Sequence, residues 1–157
     1  GDAEPGGLFM AGAALRAEWT LEAFLGWERL QSGKWEFVGG QPRAMGGGTD
    51  IHDSIAGNIR AFLKFKLKGS ECRASGPDLK IITGLGTSRY PDALVNCAPR
   101  AKDVALNPAV VFEVLSDSTK AGDFGDKFDE YDATPAILQY VLVYRNRRKT
   151  RSFRGGI

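Results

Sequence analysis

The run Ala109-Val110-Val111-Phe112-Glu113-Val114-Leu115 places one carboxylate inside a segment that is otherwise wholly apolar. A near-continuous apolar run of this length is the pattern of a strand covered on both faces. Side chains alternate along a strand, so Val111, Glu113 and Leu115 share one face, and Glu113 is not the polar side of a half-exposed strand. An ionised carboxylate in such a place is costly unless a countercharge reaches it. A metal ion or a lysine is the natural compensation. Asp92, in Tyr90-Pro91-Asp92-Ala93-Leu94-Val95, opens another apolar segment and poses the same problem.

A lysine is available further along the chain. Asp123, Lys127 and Tyr131 are spaced i, i+4, i+8 and stack along one face of a predicted helix from Gly122 to Asp132. Taken alone, the set reads as an exposed ion pair worth a few tenths of a kcal/mol beside a half-buried tyrosine. Two carboxylates on neighbouring strands change the weighting.

The chain of 157 residues is the size of one domain. With 43% hydrophobic and 25% charged residues it matches soluble globular proteins rather than disordered, collagen-like or coiled-coil chains. No apolar run approaches the roughly 18 residues of a membrane span. The net charge of +2 conceals an asymmetry: six Lys and Arg lie between Arg145 and Arg154 with no acid among them, leaving the preceding part mildly acidic. Such a stretch can meet phosphate, and it is equally the pattern of a solvated edge hairpin. Cys72 and Cys97 form no CxxC pair, so neither zinc nor a disulfide framework is indicated; two free thiols and a cytoplasmic location are expected. Residues 1–14 read as a flexible leader without a signal-peptide pattern, those before Met10 being open to an added origin, and 15–157 as a single domain.

Helical spacing predicts a helix from Leu21 to Leu30 capped by Thr20, then a hairpin over Lys34–Met45 turning at Gly39-Gly40. After Gly46-Gly47-Gly48, with Thr49 or Asp50 as cap, a longer helix is expected from Ile51 to Lys68. Its core face would carry Ile51, Ile55, Ile59, Phe62 and Leu63, with Arg60, Lys64 and Lys68 toward the other side. Strand signals cover Cys72–Thr83, Tyr90–Cys97, Ala109–Leu115 and Ile137–Tyr144, followed by a basic return strand. Gly84-Leu85-Gly86 lacks the third glycine and the following helix of a dinucleotide fingerprint, and reads as a hairpin turn. The order predicts an α/β (α+β) fold: a central mixed β-sheet flanked by helices, plus an N-terminal helix and β-hairpin.

Trp19-Thr20-Leu21-Glu22-Ala23-Phe24-Leu25, Glu36-Phe37-Val38-Gly39-Gly40, Arg89-Tyr90-Pro91-Asp92, Val111-Phe112-Glu113-Val114-Leu115-Ser116 and Asp123-x-x-x-Lys127-x-x-x-Tyr131 occur in this order. The set resembles the Uma-two family of bacterial restriction-endonuclease-like proteins, within the PD-(D/E)XK nuclease superfamily, from about Leu15 to Phe153. The resemblance implies a restriction-endonuclease-like core in which Asp92 and Glu113 hold a divalent metal, Mg²⁺ or in its place Mn²⁺, beside a scissile phosphate. The superfamily's usual lysine lies two residues after the glutamate. That position here is Leu115, a departure the Uma-two family shares, and Lys127 resembles the relocated equivalent. Mg²⁺ typically takes one or two carboxylates and keeps several waters, so the residue types suit metal-assisted phosphodiester hydrolysis.

Glu36 matches a recurrent glutamate of that family, which would add a metal ligand or fix Lys127; as a solvent-facing hairpin residue it needs no role. His52, the only histidine, sits in the first turn of the long helix, where a family histidine also tends to occur. Proton transfer, phosphate contact and plain structural hydrogen bonding are all open to it. Asp78 and Lys80 share a strand face, as an outer ligand with a rival catalytic lysine or as an ordinary salt bridge. Ser116 to Thr119 would make the turn into the third helix, where phosphate can sit. The expected activity is Mg²⁺-dependent endonucleolytic cleavage of DNA by a homodimer. A catalytically silent fold that binds nucleic acid or a protein partner, and an enzyme acting on RNA, are the alternatives.

Overall fold

The computed structural model describes residues 17–116, 121–145 and 150–154, and only the backbone at 121–123 and 150. Its elements are α1 (Leu21–Glu28), β1 (Trp35–Val38), β2 (Gln41–Ala44), α2 (Asp50–Lys66), β3 (Arg73–Ser75), β4 (Ile81–Ile82), β5 (Ser88–Arg89), β6 (Ala93–Asn96), β7 (Pro108–Leu115), α3 (Ala121–Asp132), β8 (Gln139–Tyr144) and β9 (Thr150–Arg154).

Two sheets form among the described residues. The five-stranded sheet has the order β3-β6-β7-β8-β9. It is mixed as expected, since β7 and β8 run parallel while the other neighbours are antiparallel. A parallel pair needs a crossover, and α3 supplies it. The four-stranded sheet, β2-β1-β5-β4, is antiparallel and goes beyond the isolated hairpin expected, because β4 and β5 leave the main sheet to join it. The Gly84-Leu85-Gly86 turn joins them, with Gly86 N–H donating to Thr83 O at 3.0 Å. Helix α1 covers the hairpin with aromatic rings: Phe24 stacks on Phe37 at 5.1 Å and Trp27 meets Trp35 edge-on at 4.9 Å. Thr20 caps it, accepting from Ala23 N–H at 3.1 Å. The main core is Ile81, Leu94, Val111, Tyr131 and Leu142, each at most 1% exposed.

Three expectations are corrected. The segment Cys72–Thr83 is not one strand; it breaks at Gly76-Pro77, which is a cis peptide. Gly76 has φ +120°, and a Cβ there would lie 2.7 Å from Asp92 O, so β3 leaves β6 at a point only glycine fits. The long helix only half-buries the stripe its periodicity outlines, at Ile55, Ile59 and Leu63. Ala56 is its one buried residue, Ile51 and Phe62 stand 48% and 59% exposed, and Arg60 turns toward the sheet rather than away from it. Finally, Cys72 and Cys97 are joined as a disulfide. The register Arg73↔Asn96 makes these cysteines the next pair across β3 and β6, which removes the free thiols from which a reducing compartment was read. Among the described residues, no helix is long and apolar enough to cross a membrane.

Candidate active site

The pairing Ala93↔Phe112, extended by one residue, brings Asp92 across from Glu113. Asp92 Oδ2 accepts the Val114 N–H at 2.8 Å and lies 3.2 Å from His52 Nε2. Its main-chain carbonyl accepts from Arg60 Nη1 at 3.0 Å. The turn that carries Asp92 is therefore held by β7 on one side and α2 on the other. His52 is positioned by the helix start, where Thr49 Oγ1 accepts its N–H at 3.2 Å.

Glu113 is 6% exposed. Tyr131 OH donates to its Oε1 at 3.1 Å, and Lys127 Nζ stands 3.5 Å from the same oxygen. The i, i+4 spacing on α3 thus delivers both groups to one carboxylate. They do not fully offset its burial. Desolvation, with the nearby charges of Asp92 and Glu36, pushes the Glu113 carboxyl up to about 7 against the pull of Lys127 and Tyr131. Burial and the Glu113 charge raise the Tyr131 phenol well above its ordinary range, so it remains a donor.

Asp92, His52, Glu113 and Lys127 line an open cavity of about 460 Å³, together with Arg43, Ser116 and the Gly46-Gly47-Gly48 loop, while Tyr131 is not among its lining residues. A Cβ on Gly48 would approach His52 Nδ1 to 3.1 Å, so the loop sits close over the imidazole. Among the described residues no group of three or more His, Cys, Asp and Glu side chains converges as a metal cage. The donor set is instead two carboxylates facing each other in a cavity wide enough for water. That fits a hard cation that keeps part of its hydration shell, and the elevated Glu113 marks a place short of positive charge.

The other candidates fall elsewhere. Glu36 is buried, but its Oε2 lies 2.7 Å from Arg43 Nη2 and 3.2 Å from Arg89 Nη1, and it is not among the residues lining the cavity. Lys80 is not placed to rival Lys127. It is buried 2.6 Å from Glu28 and 3.2 Å from Asp103, 5.7 Å from the centre of the Tyr90 ring, and it does not line the cavity. Asp78 is exposed and pairs with Lys34 at 3.2 Å, away from Glu113. The side chain of Asp123 and residues 117–119 lie outside the described residues.

One residue without an expected role has a large one. Arg89 is 0% exposed, and its guanidinium reaches Glu130 through Nε at 2.7 Å and Nη2 at 3.0 Å besides contacting Glu36. This forked pair fixes the last turn of α3, next to Tyr131, against the four-stranded sheet. The only sequence signal was the position of Arg89 ahead of Tyr90-Pro91-Asp92, which does not reveal a partner 41 residues away.

Fold and site together define a restriction-endonuclease-like α/β domain with a paired carboxylate centre. A model of the Uma2 family, described as "Putative restriction endonuclease", matches residues 21–156, and the chain belongs to that family. Two uncharacterized proteins of Synechocystis sp. are similar to it. One is 39% identical over 127 residues, 78% of this chain and 66% of that protein. The other is 25% identical over 130 residues, 79% of this chain and 73% of that protein. The fold matches a crystal structure titled "a putative nuclease belonging to DUF820 from Anabaena variabilis ATCC 29413", with a TM-score of 0.72 and 17% identity over 88% of this chain and 80% of that one. At that identity the likeness speaks for the fold alone.

Proposed function

We propose that this chain is a metal-dependent endonuclease that hydrolyses phosphodiester bonds of DNA. The observation that carries the reading is the convergence of Asp92, Glu113 and Lys127 in one open cavity, with Lys127 beside Glu113 Oε1 and Tyr131 donating to the same oxygen from behind the lining. Asp92 and Glu113 would hold Mg²⁺, with Mn²⁺ as a substitute. When bound, the cation supplies Lewis acidity toward the phosphoryl group and a more acidic water.

The chain's own residues do the remaining work. Lys127 places a fixed positive charge where charge develops on the phosphoryl oxygens. Tyr131 holds Glu113 in one orientation and keeps its own proton. His52 holds Asp92 through Nε2, and its Nδ1 faces the Gly46–Gly48 loop, where it can accept a proton or a hydrogen bond. Glu36 acts at one remove, through Arg89 and Glu130, on the helix that carries Lys127. Cutting both strands calls for two such sites, and a homodimer is the expected working form.

Cleavage of a panel of supercoiled, linear, single-stranded and branched DNA, with RNA beside them, tests the reading in Mg²⁺ and Mn²⁺. Metal-dependent cutting of DNA that disappears in Asp92→Ala is the expected result. No cutting of any substrate by folded protein would move the reading to a catalytically silent nucleic-acid-binding fold. Cutting confined to RNA would move it to a ribonuclease.

A further inference from the structure

A second cavity lies at the other end of β6. Asp92 stands just ahead of that strand and Asn96 is its last residue, a span of roughly 13 Å at about 3.3 Å per residue. The cavity has a volume of about 320 Å³ and is lined by Arg73, Ser75, Asp78, Asn96, Arg100 and Lys102. Three of these are cations and one is an acid, and the acid is already paired with Lys34. Among the described residues, no carboxylate pairs with Arg73, Arg100 or Lys102. The Nε of Arg73 is buried without a hydrogen-bond partner, a condition native structures seldom leave uncompensated.

The loop that carries Arg100 and Lys102 is held at both ends. At its start, Cys97 N–H donates to Asn107 O at 2.9 Å, and Asn107 N–H donates to Asn96 Oδ1 at 2.9 Å. At its close, Lys80 N–H donates to Asp103 O at 3.1 Å and Ala105 N–H to Lys80 O at 2.9 Å. The Cys72–Cys97 bridge ties the loop to β3 at the residue before Arg73. The basic groups are therefore presented by a braced frame and not by a loose tail.

We infer that this cavity is a second anion site, taking a backbone phosphate of the nucleic-acid strand whose scissile phosphate lies at Asp92 and Glu113. Two guanidinium forks suit the tetrahedral oxygens of phosphate, and a lysine adds a point charge. The inference rests on the nuclease reading for the identity of the strand, while the cation cluster and the orphaned Nε stand without it.

The test compares Asp92→Ala, which permits binding without cleavage, with the same chain also carrying R73Q, R100Q or K102Q. Arg100 and Lys102 are exposed, so those variants keep the fold. The probes are a single-stranded DNA 12-mer, a dinucleotide too short to reach both cavities, and inorganic phosphate. Each substitution should weaken 12-mer binding severalfold. The triple variant should flatten the slope of log affinity against log salt by about 1, the release expected for one lost phosphate contact. Dinucleotide binding should stay unchanged, and with Asp92 intact KM should rise while kcat holds.

Unchanged 12-mer affinity and salt slope, with the parent binding well, would overturn this inference and leave the nuclease reading intact. Inorganic phosphate perturbing Arg73, with the 12-mer bound no tighter than the dinucleotide, would overturn it in favour of a free-phosphate site. Failure of the parent to bind the 12-mer at all would overturn the nuclease reading and the ligand inferred here together.

Discussion

Two clusters of buried or half-buried acids lie within this one domain, and they are solved differently. In the Arg89 cluster, Glu36 and Glu130 meet the guanidinium directly, Arg43 adds a second positive charge, and the buried carboxylates are matched. In the Asp92–Glu113 pair, two carboxylates face a cavity with one lysine at 3.5 Å and a phenol at 3.1 Å, and Glu113 is driven up to about 7. The first is balanced in charge and, Arg43 apart, lies outside the cavity, as a structural clamp should. The second is open, and its burial is not fully offset by Lys127 and Tyr131, which is what the proposed metal site requires. Burial of charge alone does not mark function; the unbalanced remainder does.

The sharpest break between the clusters is catalytic. Asp92→Ala should abolish metal-dependent cleavage, and Lys127→Ala should lower kcat by about 10²–10³-fold, the range for removing a fixed electrostatic stabiliser. Circular dichroism should show both variants folded. Single-turnover cleavage at saturating substrate is the measurement, and a Lys127→Ala variant with normal kcat would remove that residue from the chemistry.

Next comes stability at the closed cluster. Arg89→Met leaves two buried carboxylates without their main partner and should cost about 3–5 kcal/mol in urea unfolding. The cost should be the same with or without Mg²⁺, because no ligand is expected to bind there.

The open cluster should behave in the opposite sense. Above pH 7 the ionised Glu113 opposes folding; below its ordinary 4.5 it is protonated in both states and the effect vanishes. Glu113→Gln in EDTA should therefore be more stable than the parent by about 3 kcal/mol at pH 8, with the gap closing as pH falls through 7 toward 4.5. Mg²⁺ should stabilise the parent alone. A gap that widens on acidification would contradict the assignment. The smallest effect belongs to the surface: Asp78→Asn breaks the exposed pair with Lys34 and should change stability by about 1 kcal/mol or less.

The sequence made some of this contrast readable. Glu113 betrayed itself by standing in an apolar strand, and the i, i+4 step from Lys127 to Tyr131 survived intact because helix geometry is local. The second sheet was not readable. Ser88 and Arg89 lie close to β6 in the chain, and only tertiary pairing with Phe37 sends them to the other layer. For the same reason Glu36 and Lys80 looked like candidates for the chemistry, since their partners, Arg89 and Glu28, are 53 and 52 residues away. The disulfide was hidden by register, which no spacing rule supplies. The apolar stripe on α2 misled in another way. Periodicity reports which face is apolar, not how much of it the sheet covers, and Ala56 lets the helix approach at one point while Phe62 stays outside.

Gly76 carries a consequence for how damage to this protein would be recognised. The carbonyl oxygen of Asp92 that leaves no room for a Cβ there is the same atom that Arg60 holds from the other side. The Asp92 carboxylate is thus registered by its main chain, gripped between a missing side chain and a helix arginine. A mutational scan that ranks positions by chemical groups would pass over Gly76. An alanine there would move the carboxylate without altering any chemical group that lines the cavity, and the lesion would be entirely one of alignment.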